Sequence, residues 1–281
     1  MAQAYATLEL ALQLGADGPA GAPGDDREPF DPEAAFAAGA RIAEAPTGSA
    51  ADLIGPLRQL SFWTMKKRAR VVGEGGMHDL LVALREAADS GAREHPVRFH
   101  LVGHSFGCIA ASAMVTGPPG PHPDSSRADV PVRSLVLVQG AMSLWSFAPR
   151  IPVEPSRRGY FHRLIADGLV QGPIVTTRSA HDAALGRFYR LAAGLGRDLE
   201  VVLPEYPRYG ALGAFGARGL GGGVVDQPML SVVEDYRFEP SAVYNLEASA
   251  YIKGGSGLAG AHSDIFDPEV AHAVWQAATV P

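Results

Sequence analysis

The sequence is short of cysteine, of basic charge and of long apolar runs, and each shortage removes a class of protein. A single cysteine, Cys108, in 281 residues excludes an internal disulfide and a cysteine-based zinc site, and it fits a reducing compartment. Lys and Arg total 24 against 30 Asp and Glu, a net charge of -6. That balance argues against non-specific nucleic-acid binding, which relies on a basic surface. No apolar run approaches the roughly 20 residues of a membrane span. The opening "MAQAYATLELALQLG" lacks a basic start and carries Glu9 where a signal peptide would be apolar, so the expected location is the cytoplasm. Neither a dinucleotide fingerprint nor a metal-ligand spacing is present, and no cofactor is implied.

What is present describes one globular core. Hydrophobic residues make up 47% of the chain and charged residues 19%, so a single α/β domain over residues 1–281 is expected. Residues 1–94 read as a mainly helical lead-in, with helices over 1–14, from Asp31-Pro32 onward, from Ser49 to Arg70 and over "MHDLLVALREAADSG". The run Lys66, Lys67, Arg68 and Arg70 reads as a solvated helix face, with an anion-binding patch as the alternative. Beyond residue 95 the pattern changes to strands at 97–103, 132–140, 173–179 and 242–252. Helices follow the first and third, to about Thr116 and from Asp182 to Gly194, and "PEVAHAVWQAATV" closes the chain. Such alternation predicts a mainly parallel sheet with flanking helices. The short apolar run 199–204 leads into a glycine-rich loop, 209–223, which lacks the Gly-Lys-Ser/Thr ending of a phosphate cradle and reads as structural.

The stretch "VRFHLVGHSFGCIAASAMV" concentrates the chemistry. Ser105 stands just past an apolar strand and at the head of a small-residue helix. At so sharp a turn, positions two before and two after the serine must be small, and Gly103 and Gly107 meet that demand. The hydroxyl would point out at the carboxyl edge of the sheet, above a helix N-terminus that favours developing negative charge. Cys108 reads as a small core residue. A serine needs a base, and the base an orienting carboxylate. Of nine histidines, His104 adjoins the serine and should point elsewhere; His181 and His262 remain, both after strands. His262 lies in "GGSGLAGAHSDIF", a loop able to reach over the sheet edge. The better arrangement is Asp182 orienting His262, which activates Ser105. Asp182 also suits the N-cap of a helix. Asp167, Asp226 and Asp235 are rival acids, and His181 a rival base.

In these features the chain resembles the α/β-hydrolases: "GHSFG", an acid after a later strand in "TTRSAHD", and a histidine after the last strand in "GAHSDI" follow that family's order. The resemblance covers residues 95–281. It implies a serine hydrolase, esterase- or lipase-like, acting on a small-molecule ester, thioester or related acyl bond. Ser105 would be the nucleophile, Asp182 the acid, His262 the base and the Phe106 N–H one oxyanion donor. The excursion 141–172 lies where the family hangs its lid, and Trp145, Phe147, Tyr160 and Phe161 are candidates for an acyl pocket.

The chain departs from the family before the elbow, where residues 1–70 offer no strands. In "ARVVGEGGMHD", Val71-Val72 could be a stub strand and Gly73–Gly76 a backbone-donor loop, but a helix kinked at the glycines is favoured. The sheet is therefore expected to be incomplete on its N-terminal side, with the first strands upstream of Met1. An uncovered edge would allow self-association. The rival to the enzyme is a catalytically silent hydrolase-like binding or scaffold protein.

Overall fold

Five short runs form one parallel sheet in a computed structural model, which describes residues 2–11, 21–27, 31, 33, 37, 55–91, 96–120, 130–182, 185, 206–255 and 260–280. The strands are β1 (His100–His104), β2 (Ser134–Val138), β3 (Ile174–Arg178), β4 (Val224–Pro228) and β5 (Val243–Glu247), in the order β1-β2-β3-β5-β4 with every neighbouring pair parallel. Most of the helices expected from Asp31-Pro32 and from Asp182, and all of the run 199–204, lie outside the described residues.

The interior strand β2, SLVLV, is buried at every position, as a parallel strand covered on both faces must be. Its pleat divides it: Leu135 and Leu137 join one core cluster, Val136 and Val138 the other. Among the described residues, the helices with both ends defined before β1 are α1 (Ala2–Ala11), α2 (Gly55–Val72) and α3 (His78–Asp89). They are followed by α4 (Phe106–Thr116), the short α5 (Arg163–Ala166) and α6 (Leu212–Phe215), and finally α7 (Pro268–Thr279). The α4 residues Cys108, Ile109, Ala111, Ala113, Met114 and Val115 join the first cluster. Val270, Ala273 and Ala277 of α7 join the second. The result is a helix–sheet–helix sandwich, a general α/β fold.

Three expectations change. β4 directly follows the glycine-rich loop 209–223, where no strand is expected; it is an edge strand among the described residues, partly exposed and ending in Pro228, so its apolar signal is weak. β5 ends at Glu247 rather than 252, where Ala248 begins a turn closed by Tyr251 and Ile252 N–H bonds to its carbonyl. The basic run is a solvated face only in part: Arg68 is exposed and Lys67 half-buried, but Lys66 and Arg70 are buried. Segment 21–27 folds onto α2, and fully buried Lys66 meets Asp26 at 2.5 Å over the face of Trp63. Arg70, also buried, pairs with Glu74 at 2.9 Å.

The glycines after Val72 make a kinked helix, not a strand and loop. A π-helical turn, Gly73–Met77, joins α2 to α3, with the break at Gly75 (φ -95°, ψ -110°). Gly73 is there for contact: a Cβ would stand 2.6 Å from the Ala110 carbonyl oxygen and from the Ala113 Cβ of α4. β1 forms one edge of the sheet among the described residues, and Val102 on it is 52% exposed. No helix among the described residues is long and apolar enough to cross a membrane.

Candidate active site

The site is assembled where β1, β3 and β5 end. Ser105 has φ 56° and ψ -121°, a conformation that L-residues avoid. Its backbone is held from both directions. The N–H donates to the Val138 carbonyl at 3.1 Å, and the carbonyl accepts from Cys108 N at 3.2 Å and Ala141 N at 3.1 Å. The two expected glycines differ in their need. A Cβ on Gly103 would lie 2.5 Å from the Gly107 carbonyl oxygen and 2.7 Å from Cys108 N, whereas a Cβ on Gly107 meets nothing within 4 Å. The crowding is thus one-sided. Cys108 is buried, donates to the Gly103 carbonyl at 3.2 Å, and has its thiol pKa pushed up by burial, which makes it inert.

His262 stands on the 3₁₀ turn Gly260–Ser263. Its Nε2 lies 2.8 Å from Ser105 Oγ and its Nδ1 2.8 Å from Asp182 Oδ2. With Asp182 ionised, Nδ1 must donate, which leaves Nε2 of the neutral ring as the acceptor of the serine proton. Asp182 follows β3 in a turn where its N–H donates to the Ser179 carbonyl, and its side chain is wholly buried. Its other oxygen, Oδ1, accepts from Leu185 N at 3.0 Å, so the carboxylate caps a helical turn and faces the imidazole at once. The two readings of Asp182 are compatible.

The rivals are engaged elsewhere. Asp167 pairs with Arg163 at 2.7 Å, and Asp235 accepts from Gln276 at 3.0 Å. Burial would raise the Asp226 carboxyl, but the Arg218 fork at 2.6 and 2.9 Å, with Asn245 and Arg178, holds it below the usual range. His181 contributes its backbone carbonyl, which accepts from Ala261 N at 3.3 Å. Phe106 opens α4, so its N–H has no partner within the helix; its ring packs on Phe62 at 5.2 Å.

The four aromatic candidates separate. Phe147 and Phe161 are buried in the core cluster that α4 residues also join. Trp145 and Tyr160 line a cleft together with Asp25, Arg157 and Tyr209, and neither phenylalanine lines it. Trp145 donates its indole N–H to the Arg208 carbonyl at 3.0 Å. The Tyr160 hydroxyl donates to Glu74, and burial raises its pKa. None of Ser105, Asp182 and His262 lines that cleft.

Two contributors escaped the sequence reading. His104 reaches the His262 carbonyl with Nε2 at 2.9 Å, although its place beside the serine suggested it would turn away. Asp264 takes the N–H groups of Lys253 and Gly254 at 3.1 and 2.5 Å, closing the loop that carries His262. Its position two residues after the histidine was the available signal. Among the described residues no group of three His, Cys, Asp or Glu side chains could hold a metal ion. No protein-family model, no curated protein and no solved structure matches the chain.

Proposed function

We propose that the chain is a serine hydrolase of the α/β-hydrolase kind, cleaving an ester, thioester or related acyl bond. The observation that carries this reading is the Ser105–His262–Asp182 chain, two successive 2.8 Å contacts between side chains far apart in sequence. The left-handed Ser105 at a strand-to-helix turn supports it, as does the parallel order of the strands. An ordinary loop serine has no need of such strain.

In the reaction, Ser105 Oγ attacks the acyl carbon while His262 Nε2 takes the hydroxyl proton. Asp182, accepting from Nδ1–H, fixes the tautomer and stabilises the imidazolium. The tetrahedral oxyanion forms near the Phe106 N–H and the positive end of α4. His262 then gives its proton to the leaving group, whose departure produces the acyl-enzyme. A water activated by the same nitrogen releases the acid and restores Ser105.

A fluorophosphonate probe tests this directly. One probe per chain, bound at Ser105 by peptide mapping and absent in Ser105→Ala, is the expected result. Hydrolysis of p-nitrophenyl butyrate should fall in that variant by several powers of ten. Failure to label the native chain, or residual turnover in Ser105→Ala above about one per cent, would exclude a Ser105 nucleophile.

A further inference from the structure

His104 takes no part in the chemistry proposed above, yet its imidazole reaches the backbone of the base. Its Nε2 lies 2.9 Å from the His262 carbonyl oxygen, and the two rings stand 5.1 Å apart at 37°. A carbonyl only accepts, so Nε2 carries the hydrogen. Burial lowers the His104 pKa, and the neighbouring His262 charge lowers it further, against the pull of the carbonyl bond and Asp182. The ring is therefore neutral at pH 7, with its single proton on Nε2.

We infer that His104 is a positioning residue, tying the backbone of His262 to the strand that carries Ser105. The inference rests on the hydrolase reading of those two side chains. The other tethers of the His262 turn run elsewhere. Ala261 N–H is held by the His181 carbonyl beyond β3, and Asp264 is held by residues 253 and 254 beyond β5. Neither reaches β1. The His104 bond does, and it makes the residue beside the nucleophile set the height of the base. Misplacement of a reacting group by about an ångström can cost about a hundredfold in rate. Neutrality matters too. When His262 takes the serine proton it becomes a cation beside His104, and an uncharged neighbour adds no like-charge repulsion.

Two measurements test this. Nitrogen-15 NMR of the full chain should find His104 neutral at pH 7 with the hydrogen on Nε2; the Nδ1–H tautomer overturns the tether. That reading is made on the parent protein and stands whether or not any variant folds. His104→Phe removes the donor but keeps a ring, and His104→Gln restores an N–H. The Phe variant should label with fluorophosphonate and hydrolyse p-nitrophenyl butyrate about 10- to 100-fold more slowly, through kcat with KM unchanged. The Gln variant should recover most of the loss. A Phe variant as fast as the parent, or a Gln variant no faster than Phe, overturns the positioning role. A parent that neither labels nor hydrolyses defeats the hydrolase reading and with it the catalytic use of His104, while the tautomer still judges the tether.

Discussion

Asp182 serves two partners with two oxygens, so its substitutions should separate two effects. In Asp182→Asn the side chain can still accept from Leu185 N, but it no longer dictates the His262 tautomer. Turnover should fall by about two to four orders of magnitude, with the urea midpoint nearly unchanged. Asp182→Ala should lose about 1 kcal/mol more stability, the usual worth of a helix cap. Equal urea midpoints for the two variants would deny the capping role. The elbow glycines offer a second contrast. Gly103→Ala drives a methyl into the Gly107 carbonyl and should cost about 1–3 kcal/mol, the usual range for overpacking. Gly107→Ala meets open space inside a helix and should be neutral or stabilising by about 0.5–1 kcal/mol. Thermal melts of the two variants decide it; equal losses would mean that the crowding is not one-sided.

At the level of elements, α2 carries a lysine that is fully buried. Asp26 faces Lys66 at 2.5 Å, and burial lowers the lysine's pKa. Asp26→Ala or Lys66→Met alone takes one charge of this buried pair from the other and should destabilise by about 3–5 kcal/mol, while the double variant, which removes both charges, should lose clearly less. A double variant that loses as much as either single one in chemical denaturation would refute the account. This pair also marks where sequence reading stops. Lys66 looked solvated because its partner lies 40 residues away in a Gly/Pro/Asp loop whose fold leaves no periodic trace. β2 was legible because four of its five residues are apolar. β4 was not, because VVDQP on a sheet edge has little apolar surface to hide. Ser105, Asp182 and His262 were readable since turn chemistry and strand ends fix where such residues can stand. His104 was hidden by the same logic: alternation along β1 turns its side chain from the serine's, and only the three-dimensional path of the His262 turn brings a carbonyl to meet it.

For the whole molecule, burial of two β1 histidines sets an acid-side weakness. Both His100 and His104 have pKa values lowered first by burial, so the unfolded chain binds more protons than the native one as pH falls below about 6.5. Their contribution is complete above that pH and is lost progressively below it. The urea midpoint should therefore drop between pH 7 and pH 5, and His100→Gln should flatten the slope. A midpoint that rose on acidification, or a slope untouched by the substitution, would contradict this. The catalytic chain has a different global consequence. Ser105 and His262 stand 157 residues apart, and Asp182 and His262 80. Such distant segments meet only after the loops between them have closed, and loop closure is entropically slow. A covalent label on Ser105 is therefore a clock for the end of refolding: it counts molecules in which the last long-range contacts have formed, and ignores those that have regained only their helices.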